Sequence, residues 1–127
     1  MGKIERWIRQ KLGAAVAAGI GEWAASPTSV LGKPIYKFAD GSMTLTLSDL
    51  GFIYAGPTPA IERRYDEVEA LKLAPLVTIM KLRGDLIAPI TIGVIFRGAP
   101  VPLEMRLPLC VYSNVAAVLD RIVTELA

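Results

Sequence analysis

The chain has 127 residues, of which 53% are hydrophobic and 20% charged, with a formal net charge of +2. That is apolar material for the core of one ordinary domain and excludes a disordered chain. The charge is mild and Lys and Arg are not clustered among aromatics, so no nucleic-acid partner is expected.

Histidine is absent and cysteine occurs once, at Cys110. The commonest general base and metal ligand are therefore missing, as is every Ser-His or Cys-His arrangement. A non-catalytic protein without metal or cofactor is expected. Cys110, between Leu109 and Val111, reads as a buried, inert thiol. No segment has the roughly 20 apolar residues that cross a bilayer. Residues 12–20 are short and rich in Ala and Gly, too weakly hydrophobic for a secretory signal. A cytoplasmic, reducing setting is the expectation.

Residues 3–25 read as a helix, because Ile4, Trp7, Ile8, Leu12, Ala15, Gly19 and Trp23 recur at three- and four-residue steps. Lys3, Arg6, Arg9 and Lys11 give its first half a basic character, and Gly13, Gly19 and Gly21 weaken its second half. Ser26-Pro27-Thr28-Ser29 has linker composition. The chain thus divides into residues 1–29, helix and linker, and residues 30–127, the main domain.

From residue 32 the apolar period becomes two. Residues 35–38 lead into Asp40-Gly41, a hairpin signal. Met43, Leu45 and Leu47 then alternate with Thr44, Thr46 and Ser48 as a half-buried strand. A turn at Ser48-Asp49 opens a strand over 50–55, and Gly56-Pro57-Thr58-Pro59 forces a loop. Residues 61–73 are helical by propensity, but their place among strands favours a strand or bulged strand.

Residues 77–82 are predicted as a strand closed by a turn at Arg83-Gly84-Asp85. A further strand spans 90–96, and Gly93 within it marks a bulge or a close backbone approach. After a turn at 98–100, Val101, Leu103, Met105, Leu107 and Leu109 alternate with polar residues and two prolines, which suits an edge strand. A last helix is expected over 113–126, capped by Ser113 or Asn114, with Val115, Val118, Leu119, Ile122 and Leu126 as its apolar stripe.

The run Phe38-Ala39-Asp40-Gly41 with Leu45-Thr46-Leu47, then Gly51-Phe52-Ile53-Tyr54, then Arg64-Tyr65-Asp66-Glu67-Val68 resembles bacterial members of the pleckstrin-homology-like superfold. The resemblance covers residues 33–126. It implies a mainly β (α+β) fold: a seven-stranded, partly open barrel capped by the C-terminal helix, with an extra N-terminal helix. It also implies a binding module for phosphoinositides, peptides or proteins. Phosphoinositide binding would need a basic first hairpin, whereas here only Lys33 and Lys37 lie near Asp40-Gly41.

The acidic residues Asp66, Glu67 and Glu69 beside Arg63 and Arg64 read as a solvated, ion-paired strand face. The functional expectation is a protein- or peptide-binding or oligomerisation module. Ile4, Trp7, Ile8, Leu12, Ala15, Gly19 and Trp23 are its interaction residues, engaging a protein partner or a second copy. The alternative is a peripheral membrane adaptor that uses the basic N-terminal helix on a membrane surface.

Overall fold

The computed structural model describes residues 2–25, 27–56 and 59–126. Ser26 of the expected linker and Pro57 and Thr58 of the expected loop lie outside the described residues.

The first helix, α1, spans Lys3–Ala17 and not the whole of 3–25. It ends in a glycine-terminated cap. The Gly19 N–H donates to the Val16 carbonyl (3.0 Å) and the Ile20 N–H to the Ala15 carbonyl (2.8 Å). These are the two bonds of a Schellman motif, with Gly19 at a φ of 82°. The chain then enters strand β1, Glu22–Trp23, so Trp23 belongs to a sheet and not to the helix. Gly21, with a φ of 76°, permits this turn. A Cβ there would collide with the Tyr36 ring as well as strain the backbone.

Four further strands complete the first sheet: β2 (Pro34–Asp40), β3 (Met43–Ser48), β4 (Gly51–Ala55) and β5 (Ile61–Arg64). Neighbours pair antiparallel in the order β1-β2-β3-β4-β5. The Asp40-Gly41 hairpin forms as expected, with Asp40 opposite Met43. Leu45 and Leu47 of β3 point into the core beside Phe52 and Tyr54 of β4. A register shift between Pro34 and Tyr36 interrupts the alternation in β2, and Ile35 and Tyr36 are both buried there.

Residues 61–72 are two strands broken by a single turn of 3-10 helix at Tyr65–Glu67. The second, β6 (Val68–Lys72), begins a separate three-stranded antiparallel sheet with β7 (Pro89–Phe96) and β8 (Leu103–Pro108), in the order β6-β7-β8. The bulge in this sheet falls between Val68 and Ala70 and not at Gly93, which pairs regularly with Lys72 and Glu104. Gly93 does mark a close approach, since a Cβ would lie 3.0 Å from the Lys72 side chain. As expected, β8 is an edge strand.

Two expected elements differ. Residues 77–82 are not a strand: Leu76–Leu82 forms a helix, α2, inserted between β6 and β7. β6 pairs directly with β7, so the residues between them form an insertion outside the sheet. Helical spacing turns Ile79 and Leu82 towards the core. The C-terminal helix starts four residues early. α3 spans Leu109–Arg121 and continues as a π-helical turn over Ile122–Leu126. Neither Ser113 nor Asn114 caps it. The Leu109 and Cys110 N–H groups donate instead to the carbonyls of Ala88 (2.9 Å) and Leu86 (2.8 Å). A distant loop thereby satisfies two of the donors that a helix start leaves orphaned.

Of the expected apolar stripe, Val115, Val118, Leu119 and Ile122 are buried, together with Val111 and Tyr112, while Leu126 is only partly buried. α3 packs on β7 and β8, and α1 packs on α3 and β2. The architecture is therefore α+β, with eight strands in two antiparallel sheets, an N-terminal helix and a C-terminal helix. Among the described residues the two sheets are not hydrogen-bonded into a closed barrel.

Candidate docking surface

The residues singled out on the N-terminal helix are used within the chain itself. Ile8, Leu12 and Ala15 are buried, and Ile4, Trp7 and Trp23 are partly buried against the same core; only Gly19 is exposed. The Trp7 indole N–H donates to the Val118 carbonyl at 3.3 Å, and the Arg121 guanidinium lies 4.3 Å from the centre of its ring. Trp23 meets Tyr36 edge-on with centroids 6.3 Å apart, and Arg9 stands 5.1 Å from its ring centre. The tryptophan that a membrane-inserted α1 would use is thus held against α3, by the Val118 carbonyl and by Arg121 at the end of that helix.

Glu5 ties this corner together. Its buried carboxylate accepts from Arg9 Nε at 2.8 Å and from Lys33 Nζ at 3.2 Å. The hydrogen bond from Arg9 holds its pKa below the usual glutamate range; burial opposes this, and Lys33 reinforces it. Two tyrosines are shifted the other way. Burial pushes the Tyr36 hydroxyl up to about 12 while it donates to the Ile20 carbonyl at 3.0 Å. Burial also raises Tyr65, whose hydroxyl donates to the Ser48 carbonyl at 2.8 Å. These groups are structural: each bonds the backbone or a neighbouring charge inside the fold.

The acidic patch is ion-paired as expected, but Asp66 and Glu67 lie on the 3-10 turn and not on a strand, and only Glu69 is on a strand, β6. Arg64 reaches Asp66 at 3.2 Å, and Arg63 reaches Glu67 at 4.0 Å, with every partner well exposed. Among the described residues no group of three or more His, Cys, Asp or Glu side chains could hold a metal ion, and no helix is long and apolar enough to cross a membrane.

A different surface stands out. Among the described residues nine large apolar side chains are exposed, and six of them fall between residues 73 and 87: Leu73, Leu76, Val77, Met80, Leu86 and Ile87. Leu76 is 71% exposed and Ile87 79%. A concentration of this kind on one short segment marks an interaction surface more often than chance, whereas single exposed apolar residues do not.

The segment is anchored at several points. The Ala74 N–H donates to the Tyr112 hydroxyl at 2.8 Å, before α2. The Ile87 N–H donates to Asp85 at 3.2 Å, and the Leu86 and Ala88 carbonyls hold the start of α3. The side chains of Leu86 and Ile87 therefore extend from a backbone bonded on both sides.

Between α2 and the three-stranded sheet lies a groove of about 550 Å³, lined mainly by Leu73, Ala74, Thr78, Leu82, Thr91 and Ile95. Lys72 and Glu104 stand on its lining as the charged residues. Sequence reasoning missed this surface because the same leucines and valines read as core. The signal available was the density of apolar residues around a Gly-Asp turn, flanked by Lys81 and Arg83. In comparisons with protein-family models, curated proteins and solved structures, the chain matches none of them.

Proposed function

We propose that the protein is a non-catalytic binding module that docks through the apolar surface of residues 73–87, on a pleckstrin-homology-like arrangement of strands. The observation that carries the reading is the exposure of Leu76, Val77, Met80, Leu86 and Ile87 on a segment bonded to α3 at Ala74, Leu86 and Ala88. The fold assignment is supported by element order: β2 to β5 in one sheet, β6 to β8 in a second, and then α3. In this reading the two sheets are the walls of a partly open barrel and α3 plugs it. The lone thiol of Cys110 has no partner cysteine in the chain and suits a reducing, cytoplasmic setting.

The module binds a partner through α2 and the loop after it, and not through α1. The stripe of α1 lies in its own core, so engaging a second copy through Ile8 and Leu12 would require the helix to undock. Photo-crosslinking in cells tests the reading. A photoreactive residue at Val77 is expected to trap a partner, and one at Asp120 on the outer face of α3 is expected to trap none. Equal labelling at the two positions, or none at Val77, would remove the basis for it.

A further inference from the structure

We infer that the last strands of the two sheets, β5 and β8, are sealed by the chain's own side chains against the addition of another strand. The inference concerns a different face from the docking surface and does not depend on it. Each strand lies at the end of its sheet. Together they border a groove of about 830 Å³, lined by Ile61 and Arg63 on the β5 side, by Leu103 and Glu104 on the β8 side, and by Phe96 of β7. Unpaired edges beside such a gap invite a strand from a second chain unless their backbone groups are blocked.

Antiparallel pairing sets which groups face outward, because alternate residues turn both backbone groups towards the partner strand or away from it. Just past β5, the Tyr65 N–H donates to the Leu50 carbonyl at 3.0 Å in continuation of the β4 register, so Glu62 and Arg64 face away from β4. The Arg64 N–H donates to the Glu67 carboxylate at 3.1 Å, and the Glu62 carbonyl accepts Arg63 Nη1 at 3.0 Å. On β8 the Arg106 N–H donates to the Tyr54 hydroxyl at 3.2 Å, so Glu104, Arg106 and Pro108 are the outward residues. Pro108 has no N–H to offer, and neither has Pro102 just before the strand. Among the described residues one open donor is left on each strand, at Glu62 and at Glu104. An incoming strand bonds at every second residue, and neither edge gives it two successive donors. Two-fold pairing of β8 edges centred on Glu104 would also set two glutamates directly opposite, which is unfavourable. Side chains cross the gap as well. Tyr54 belongs to β4, so its bond ties the first sheet to the second, and the Arg63 guanidinium lies 5.2 Å from the centre of the Phe96 ring.

Hydrogen exchange and sedimentation on the full chain test the inference. Tyr54→Phe keeps the ring and removes the hydroxyl, so the Arg106 amide is expected to exchange about five- to tenfold faster, while the Leu107 amide, which faces β7, keeps its rate. Tyr54→Phe combined with Pro102→Val and Glu104→Thr gives the β8 edge successive donors and removes its charge. That triple variant is expected to associate with itself as its concentration rises, and the amides at positions 104 and 106 are expected to become protected as it does. The full chain is expected to show no such protection at the same concentrations. An unchanged Arg106 amide in Tyr54→Phe would overturn the inference. So would a triple variant that associates no more than the full chain, or that associates with those two amides still exchanging freely. A full chain that already protects the Glu104 amide on concentration counts against it equally. If the triple variant does not fold, the Arg106 amide of the single variant decides alone.

Discussion

Glu5, Gly21 and Tyr65 each hold a place that the fold leaves no slack around. Glu5 is 6% exposed and accepts two charged donors, so Glu5→Gln should cost about 1 kcal/mol at neutral pH in urea melts. Its pKa is lower in the folded state than in the unfolded state. The contribution is therefore present above the ordinary glutamate pKa of about 4.3 and fades as the pH falls through the folded value. The gap between wild type and Glu5→Gln should close in acid, and a gap independent of pH would show that the charge is not what matters.

The two glycines after α1 separate strain from collision. Gly19→Ala meets open space and should lose about 1 kcal/mol from its positive φ, whereas Gly21→Ala drives a methyl group into Tyr36 and should lose more than about 2 kcal/mol. Equal losses would mean that the Tyr36 ring moves freely. At the alkaline end the sign reverses relative to Glu5. Tyr36 is pushed up to about 12, so the fold holds its proton and stability falls as the pH rises above about 10, where the unfolded tyrosine ionises.

At the scale of elements, α3 supplies the test of packing. Leu119 is 1% exposed, so Leu119→Ala should cost about 2–4 kcal/mol, and Asp120→Ala on the opposite face should stay within about 0.5 kcal/mol. Comparable urea midpoints for the two would mean that α3 is not docked by this stripe. The stripe was legible because an amphipathic helix writes its buried face into the spacing of Val115, Val118, Leu119 and Ile122. Its start was not legible. The groups that satisfy its first donors are carbonyls of residues 86 and 88, about twenty positions upstream, and no local cap marks the site.

The strands β2 to β4 were readable from alternation, apart from the bulge that buries both Ile35 and Tyr36. α2 was not readable. Val77, Thr78 and Ile79 favour a strand locally, but they fall in an insertion between the paired strands β6 and β7, where a helix turns Ile79 and Leu82 onto the core. The docking surface shares this obscurity. Hydrophobicity at Leu76 and Ile87 is visible in the chain, but whether it faces the core or solvent depends on the sheet beneath.

For the molecule as a whole, the open question at the level of sequence was where α1 goes, and the answer decides what deleting it should do. In the fold, α1 lies against α3 and β2, with Ile8 at 0% and Leu12 at 1% exposure, and Glu5 bridges it to Lys33 before β2. Burying each of those side chains contributes roughly 1.5–3 kcal/mol, a large part of the 5–15 kcal/mol that a domain usually has. β1 adds a further strand to the sheet edge, with Trp23 opposite Tyr36. A chain starting at Pro27 would therefore expose the faces of α3 and β2 that α1 covers. It is expected to melt at much lower temperature, or without a cooperative transition, and to aggregate. If α1 instead served chiefly to join two subunits, the same deletion would yield a well-folded monomer with a nearly unchanged melt from a full-length oligomer. Calorimetry and sedimentation on the two proteins distinguish these outcomes, and the first is what a helix built into the core requires.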